Sequence, residues 1–168
     1  MLVRSRKLLL AASAASAILA LGLTGCGVIT QITDAAQGKK DVFSIRTGDC
    51  TIEDASQTAE VTSVRAIPCD QAHDNEVYLI WELDGDEFPA DMAFPGDEVV
   101  VAAAEAGCTS SFETWIGAPY EETSLDYFPY LPGEESWELG DREVVCLAFD
   151  MNGQVTGSLE GKGPEYPY

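Results

Sequence analysis

The sequence predicts an α+β fold, in which a small antiparallel sheet of about five strands packs against one main helix and carries two disulfides. Three observations lead to this prediction. Short runs of β-branched and aromatic residues alternate with turn-forming residues, one stretch has helical periodicity, and four cysteines follow an export signal.

The strand candidates are short runs bounded by turn residues. Residues 76–83 form the strongest candidate because the run is apolar on both faces. Asn152-Gly153 is a hairpin signal, so residues 143–149 are expected to return along 155–159. The remaining strand candidates are 42–45, 60–68 and 127–128, with a polar loop predicted at 51–60.

Residues 97–116 are predicted to form the main helix. Acidic residues in the first turn suit the helix dipole, and Gly117 can end the helix in a left-handed conformation. Apolar and small residues recur at helical spacing and form one face, on which Cys108 lies. These residues are Val100, Ala103, Ala104, Gly107, Cys108, Ser111, Phe112 and Trp115.

The N-terminal residues have the layout of an export signal, with basic residues before an uncharged apolar run at 8–23. The next residues complete the string Leu23-Thr24-Gly25-Cys26, which resembles the lipobox of bacterial lipoproteins. The resemblance implies cleavage before Cys26 and acylation of that cysteine with diacylglycerol and palmitate-like chains. Two acyl chains anchor a protein stably, so we expect a location at the extracytoplasmic face of the cell membrane. The alternative is an ordinary export signal with a chance cysteine.

Removal of the signal leaves enough residues for one domain with a tether. Four parts are predicted in chain order. They are a lipoprotein signal peptide at 1–25, a lipidated N-terminus and tether at 26–41, one folded domain at 42–159 and a flexible tail at 160–168.

The chain is strongly acidic, with 29 acidic and 9 basic residues, and three of the basic ones lie in the export signal. Such a surface repels nucleic acid, so a nucleic-acid partner is excluded. The acidic residues are distributed along the chain rather than gathered in one tail, which favours solubility as their simplest role. Cationic partners, or anionic polymers bridged by divalent ions, remain compatible with this charge.

With Cys26 assigned to lipid, four cysteines remain: Cys50, Cys69, Cys108 and Cys146. An even number in an exported domain predicts two disulfides, for which three pairings are possible. We favour Cys50–Cys69 and Cys108–Cys146, because a helix that crosses the sheet would place Cys108 over the strand bearing Cys146. A zinc site is the alternative, but no C-x-x-C pair is present and the spacings fit no zinc knuckle.

His73 is the only histidine, and it lies between two aspartates just before a strand candidate. A serine hydrolase would need it as general base, but the chain has no G-x-S-x-G elbow, and the cysteines are assigned to disulfides. We therefore interpret His73 as a turn residue that, together with Asp70, bonds backbone groups. Asp74 and Glu76 are assigned to the same turn and its surface. No catalytic residue and no cofactor are expected.

One acidic loop is a candidate for calcium. Asp84, Asp86, Glu87 and Asp91 share this loop, but proline stands where an EF-hand needs glycine and glutamate. A solvated acidic turn is the preferred interpretation, with a weak irregular calcium site as the alternative. The residues around His73 offer one imidazole and several carboxylates, a sparse set for a transition metal. No metal site is predicted.

Several short motifs follow one another in a fixed order along the chain. They are Gly48-Asp49-Cys50, Pro68-Cys69, His73-x-x-Glu76-Val77, Cys108, Trp137, Gly140-Asp141-Arg142 and Cys146. This string resembles the septum-formation domain family of actinobacterial envelope proteins, over about residues 43–149. The resemblance implies an extracytoplasmic, disulfide-stapled domain on a lipid or membrane anchor, with a link to cell division. One departure from the family is a longer stretch before Cys69.

We therefore expect a non-enzymatic, lipid-anchored interaction module of the cell envelope, linked to septum formation or cell-wall assembly. Its partner would be an envelope or divisome protein. The candidate contact surface is the segment 119–137, in which Tyr127, Tyr130 and Trp137 can anchor a partner. Alternatively these aromatic residues only cover the core. The other function classes left open are a cell-wall hydrolase that uses His73 with a carboxylate, and an ion-binding lipoprotein.

Overall fold

The computed structural model describes residues 39–53 and 61–168. The predicted signal peptide, Cys26 and most of the predicted tether lie outside these ranges. Within them the chain forms one antiparallel sheet, one main helix and two disulfides, which confirms the predicted α+β class. None of the helices in these ranges combines the length and the apolar composition that crossing a bilayer requires.

The described residues contain six strands, slightly more than the five or so expected. They are β1 (Lys39–Asp41), β2 (Cys50–Ile52), β3 (Ser63–Ile67), β4 (Asn75–Glu82), β5 (Leu125–Tyr130) and β6 (Glu143–Asp150). Their spatial order is β1-β3-β2-β4-β6-β5, and every neighbouring pair is antiparallel. β2 overlaps the predicted loop. Its sequence has no clear strand pattern, but pairing with β3 and β4 provides backbone hydrogen bonds that stabilise the extended conformation.

Strand β6 supplies apolar residues to both faces of the sheet. Val144, Cys146 and Ala148 belong to the core on one face, whereas Val145 and Leu147 belong to the core on the other. This is the period of two that a strand imposes on its side chains. Both faces of the sheet therefore need a cover.

Strand β4 breaks this alternation at a β-bulge. The register with β6 shifts between Val77 and Leu79. As a result Tyr78 and Leu79 both contribute to the core on the face of Cys146, while Val77 and Ile80 contribute to the opposite core. The extra residue of a bulge re-aims side chains in this way, and here it adds a second large side chain to one face.

The main helix, α1 (Asp97–Ile116), has the predicted bounds. Gly117 adopts the left-handed conformation (φ 74°), and its N–H bonds the carbonyl of Glu113, which ends the helix as expected. The side chains buried by α1 lie on one stripe. They are Val100, Ala104, Cys108, Phe112 and Ile116.

The disulfide Cys108–Cys146 joins α1 to β6, and Cys50–Cys69 joins β2 to the turn after β3, so both favoured pairings are confirmed. By loop-closure entropy each bond stabilises the fold by about 3–4 kcal/mol. Next to the Cys108–Cys146 disulfide, the hydroxyl of Tyr78 donates a hydrogen bond of 3.0 Å to the Cys108 carbonyl. Covalent and polar contacts thus fix the same point of α1 on the sheet.

The opposite face is covered by the segment after β1, which is a 3-10 helix (Val42–Ser44) and not the predicted strand. The carboxylate of Asp41 accepts a hydrogen bond of 2.9 Å from the backbone N–H of Phe43, and this cap favours the turn over an extended chain. Val42 and Ile45 are buried against the sheet, whereas Phe43 is 58% exposed. The cover is therefore short.

The hairpin predicted at Asn152-Gly153 does not form. β6 is already paired with β4 and β5, so neither of its edges is free for a returning strand. Val155 instead makes an isolated antiparallel bridge with His73.

Both ends of the folded part extend past the predicted boundaries. Lys39–Asp41, assigned to the tether, pairs with β3. Within 160–168, the part predicted as a flexible tail, Gly161 N–H bonds the Trp115 carbonyl at 2.8 Å and the Tyr166 carbonyl accepts a bond of 2.6 Å from Ser124 N–H. The tail closes over the end of α1 and the start of β5.

Gly107 provides a test of the helix–sheet contact. A Cβ at this position would lie 2.3 Å from Cζ2 of Trp81 on β4. We expect Gly107→Ala to lower the free energy of unfolding by about 1–3 kcal/mol through overpacking, although alanine is the better helix former. Chemical denaturation measures the change. The control is Ala106→Leu at the exposed neighbouring position, expected to stay within about 0.5 kcal/mol of the parent; an equal stability of Gly107→Ala and parent would contradict the close contact.

Candidate functional site

His73 is completely buried, in the turn that precedes β4. Its Nδ1 lies 2.9 Å from the carbonyl oxygen of Gln71. Because a carbonyl only accepts, Nδ1 carries the proton, and the lone pair is on Nε2. Nε2 is buried and has no hydrogen-bond partner among the described residues. A general base must come within hydrogen-bond reach of its substrate, and this ring offers no surface to a wall polymer.

Glu76 is buried as well, and its carboxylate holds the C-terminal segment. Oε1 accepts a hydrogen bond of 2.7 Å from the Ser158 hydroxyl, and Oε2 accepts one of 2.6 Å from the Leu159 backbone N–H. His73 and Val155 exchange two backbone hydrogen bonds of 3.0 Å each. The His73-x-x-Glu76 motif is therefore a structural clamp, and neither side chain belongs to an exposed surface.

Few possible metal ligands lie close together in the part of the chain that the structure describes. Across residues 39–53 and 61–168, the only group of three or more possible ligand side chains comprises Cys50, Cys69 and Glu76. The two sulfurs form a disulfide and offer no thiolate. Asp74 instead accepts a hydrogen bond of 2.8 Å from the Glu53 backbone N–H. The acidic residues of the candidate calcium loop are all exposed and belong to no such group: Asp84, Asp86, Glu87 and Asp91.

Trp137 does not lie on a contact surface, contrary to the expectation. It is 2% exposed and belongs to a short helix, α2 (Glu134–Glu138). Its indole N–H donates a hydrogen bond of 2.8 Å to the Met92 carbonyl, and the Arg142 guanidinium lies 3.5 Å above the ring centre. Burial and this cation–π contact make Trp137 an anchor of the loop before α1.

The other two aromatic candidates lie on opposite faces of β5. The hydroxyl of Tyr127 meets that of Thr109 on α1, and its ring packs 4.8 Å from that of Phe112. Tyr130 belongs to the other core and packs 5.6 Å from Phe128. Of the three aromatic residues expected to form one surface, only Tyr130 faces the side of the sheet that α1 leaves uncovered.

On that side lies an open groove of about 550 Å³. This volume is within the range of known ligand clefts, about 300–1,000 Å³. Its apolar lining comes from four places: the 3-10 helix Val42–Ser44, the residues just before β3, the end of β5, and β6. This lining includes Val42, Phe43, Val61, Tyr130, Leu131 and Val145.

Four carboxylates border the same groove: Glu134, Glu135, Asp141 and Glu143. No salt bridge within 4.0 Å pairs any of them with another residue of the described chain. Asp141 accepts a hydrogen bond of 3.0 Å from the Glu143 backbone N–H, but this contact leaves its negative charge in place. The groove thus combines an apolar lining with carboxylates that form no salt bridge with any residue the structure describes.

Glu143 is the most constrained of these carboxylates. Burial raises the pKa of its carboxyl above the usual 4.5, and nearby Asp141 and Glu82 raise it further, while Arg46 acts in the opposite direction. Glu82 lies directly opposite Glu143 in the pairing of β4 with β6. Like charges in direct opposition destabilise a sheet, so a cation brought to this position would relieve the repulsion.

Sequence reasoning found only part of the groove. Tyr130, Glu134 and Glu135 lie in the predicted contact segment, but Phe43 and Glu143 come from segments far from it in the chain. The acidic doublet Glu134-Glu135 is the one local signal. Phe43 and Glu143 gave no local signal, because an exposed phenylalanine and a glutamate at a strand end occur on many protein surfaces.

A family model described as septum formation matches residues 21–157. The match includes both disulfides, α1 and every residue named for the groove. No curated protein and no solved structure matches the chain.

The clamp can be tested with Glu76→Ala, which removes both acceptors and leaves the buried Leu159 N–H without a partner. We expect a loss of about 1–3 kcal/mol in unfolding free energy, with faster amide exchange at Val155 and Leu159 before the rest of the domain. Hydrogen exchange by mass spectrometry measures this. Glu160→Ala is the exposed control, and a uniform loss of protection across the sheet would contradict a local clamp.

Glu143→Gln tests whether the buried, repelled carboxylate of Glu143 destabilises the fold. A carboxyl whose pKa is raised in the folded state is neutral in both states well below pH 4.5. It begins to destabilise the fold as the pH rises through 4.5, where the unfolded chain ionises first, and the effect is complete above the raised pKa. The variant is therefore expected to melt at a higher temperature than the parent at neutral pH and at the same temperature in acid. Melting curves at the two pH values, with Glu105→Gln on the exposed side of α1 as control, measure the difference; a variant less stable than the parent at neutral pH would contradict the assignment.

Proposed function

The chain belongs to the septum-formation family, and from this membership we propose that it is a non-enzymatic interaction module of the cell envelope. In this role it would serve septum formation or cell-wall assembly by binding another envelope or divisome protein. The observation that carries the proposal is the groove opposite α1, which exposes apolar side chains and unpaired carboxylates at one place.

The groove suits a binding function because part of its apolar lining is exposed. Phe43 is 58% exposed, and Tyr130 is only partly buried. Partly exposed aromatic residues next to a cleft are the residue type that anchors protein partners. Truncating Phe43 would remove contact surface while leaving the fully buried residues of both cores intact.

The lipobox-like string supports the proposal that acyl chains on Cys26 hold the protein at the extracytoplasmic face of the membrane. Strand β1 begins at Lys39. The intervening residues can span at most about 45 Å when fully extended. The domain would then work within this distance of the membrane.

The environment of His73 favours this non-enzymatic role over a wall hydrolase. The ring is fully buried and its Nδ1 is engaged with the Gln71 carbonyl. Activation of a nucleophile needs a base whose lone pair meets the reacting group. The acidic residues of the loop before α1 do not favour an ion-binding role, since they form no group of close metal ligands among the described residues.

The proposal predicts separable effects in a strain that lacks the native protein. Cys26→Ser should release the protein from the membrane fraction, because the acyl anchor is gone. Phe43→Ser with Tyr130→Ser should stay in the membrane fraction yet fail to restore normal septa. Immunoblots of fractions and microscopy of septum position measure the two effects.

The matched control for the groove variant is Met151→Ser, which truncates an exposed apolar residue outside the groove and should restore normal septa. Normal septa with the groove variant would contradict the interaction role. Release of soluble fragments from isolated cell wall by the purified protein would contradict its non-enzymatic nature.

A further inference from the structure

We propose that the groove binds a basic, amphipathic segment of a partner protein in an extended conformation. This inference rests on the proposed interaction role and specifies the chemistry of the partner. Its basis is the combination of apolar lining, unpaired carboxylates and an open side in one groove.

The charge of the groove selects a cationic ligand. Glu134, Glu135, Asp141 and Glu143 border the groove without a salt bridge to any described residue. Of the nearby cations, Lys40 of β1 is held by Asp49 at 2.6 Å, and Arg46 acts on Glu143 without forming a salt bridge to it. Lysine or arginine side chains of a ligand would supply the missing positive charge, and in a partly apolar cleft such pairs are screened less than on open surface.

The apolar lining excludes a simple cation as the occupant. A small metal ion would leave Phe43, Val61 and Tyr130 exposed to water, whereas an aliphatic or aromatic side chain would cover them. In an extended peptide successive side chains point to opposite sides. Such a segment can therefore place apolar side chains on the lining and basic ones toward α2 and the start of β6.

Other occupants fit less well. Nucleic acid and anionic lipid headgroups would be repelled by the same carboxylates. A second copy of this chain would bring a groove of equal sign against the first, and each full-length copy has a net charge of −20. Addition of a strand to a sheet edge is disfavoured at β5, where Pro129 lacks the backbone donor that a ladder needs.

The test uses fluorescein-labelled synthetic peptides and the purified folded protein, with binding followed by fluorescence anisotropy. One peptide alternates lysine with valine, and the second alternates lysine with serine at the same length and charge. Two variants remove equal charge at different places: Glu134→Gln with Glu135→Gln at the groove, and Glu121→Gln with Glu122→Gln in the exposed 3-10 helix (Tyr120–Glu122). Phe43→Ser and Met151→Ser form the corresponding apolar pair.

We expect the lysine–valine peptide to bind, and to bind the Glu134/Glu135 variant about fivefold more weakly. Phe43→Ser should weaken binding by about tenfold. The Glu121/Glu122 and Met151 variants should match the parent, and the lysine–serine peptide should bind more weakly than lysine–valine. Melting curves of each variant verify that it is folded, and Phe43 is exposed enough for its replacement to be tolerated.

Three results would overturn the inference. Equal weakening by the two charge-removing variants would reveal diffuse attraction between a polycation and an acidic protein. Absence of binding would exclude the ligand class. A dimer in sedimentation velocity that dissociates with Phe43→Ser would assign the groove to a second copy. If septa fail with the Phe43/Tyr130 variant but no basic peptide binds, the interaction role stands and only the ligand chemistry falls.

Discussion

The attachment of α1 to the centre of the sheet is the constraint on which the rest of the structure depends. Cys108 and Cys146 are both fully buried, and their disulfide is reinforced by the hydrogen bond from Tyr78 to the Cys108 carbonyl. Tyr78 also packs between Phe112 and Trp115 of α1, with ring centres 5.4 and 5.3 Å away. Once α1 is fixed on this face, the long helix cannot cover the other face. Among residues 39–53 and 61–168, that face receives the short 3-10 helix Val42–Ser44 together with Val61, and the groove lies beside them.

Most residues of the motif string stabilise the fold. The cysteines form two disulfides, His73 and Glu76 clamp the C-terminal segment, and Arg142 stacks on Trp137. Side chains that are engaged inside the fold in this way are not available to a ligand. The groove draws mainly on residues outside the motif string, such as Phe43 and Tyr130, and Asp141 is the one groove carboxylate that the string supplies.

The two edges of the sheet are poorly suited to pairing with another chain. β1 is three residues long and begins with two lysines, and β5 has Pro129 within it. Short, charged or proline-bearing edges are the usual means of preventing edge-to-edge association. The face opposite α1, rather than an edge, carries the groove with its partly exposed apolar lining.

What the sequence by itself determined were the features with a local or covalent cause. The bounds of α1 follow from helical periodicity and from Gly117, the strongest strand from its apolar run, and the disulfides from the even number of cysteines in an exported chain. Tertiary structure alone decided the features that depend on a neighbour. Residues 155–159 have a strand-like sequence but find both edges of β6 occupied, and Trp137 looks like a surface anchor but is enclosed by Arg142 and the Met92 loop. The groove belongs to this second class, because Phe43, Glu134 and Glu143 become neighbours only when the sheet forms, and no local pattern encodes a contact between distant segments.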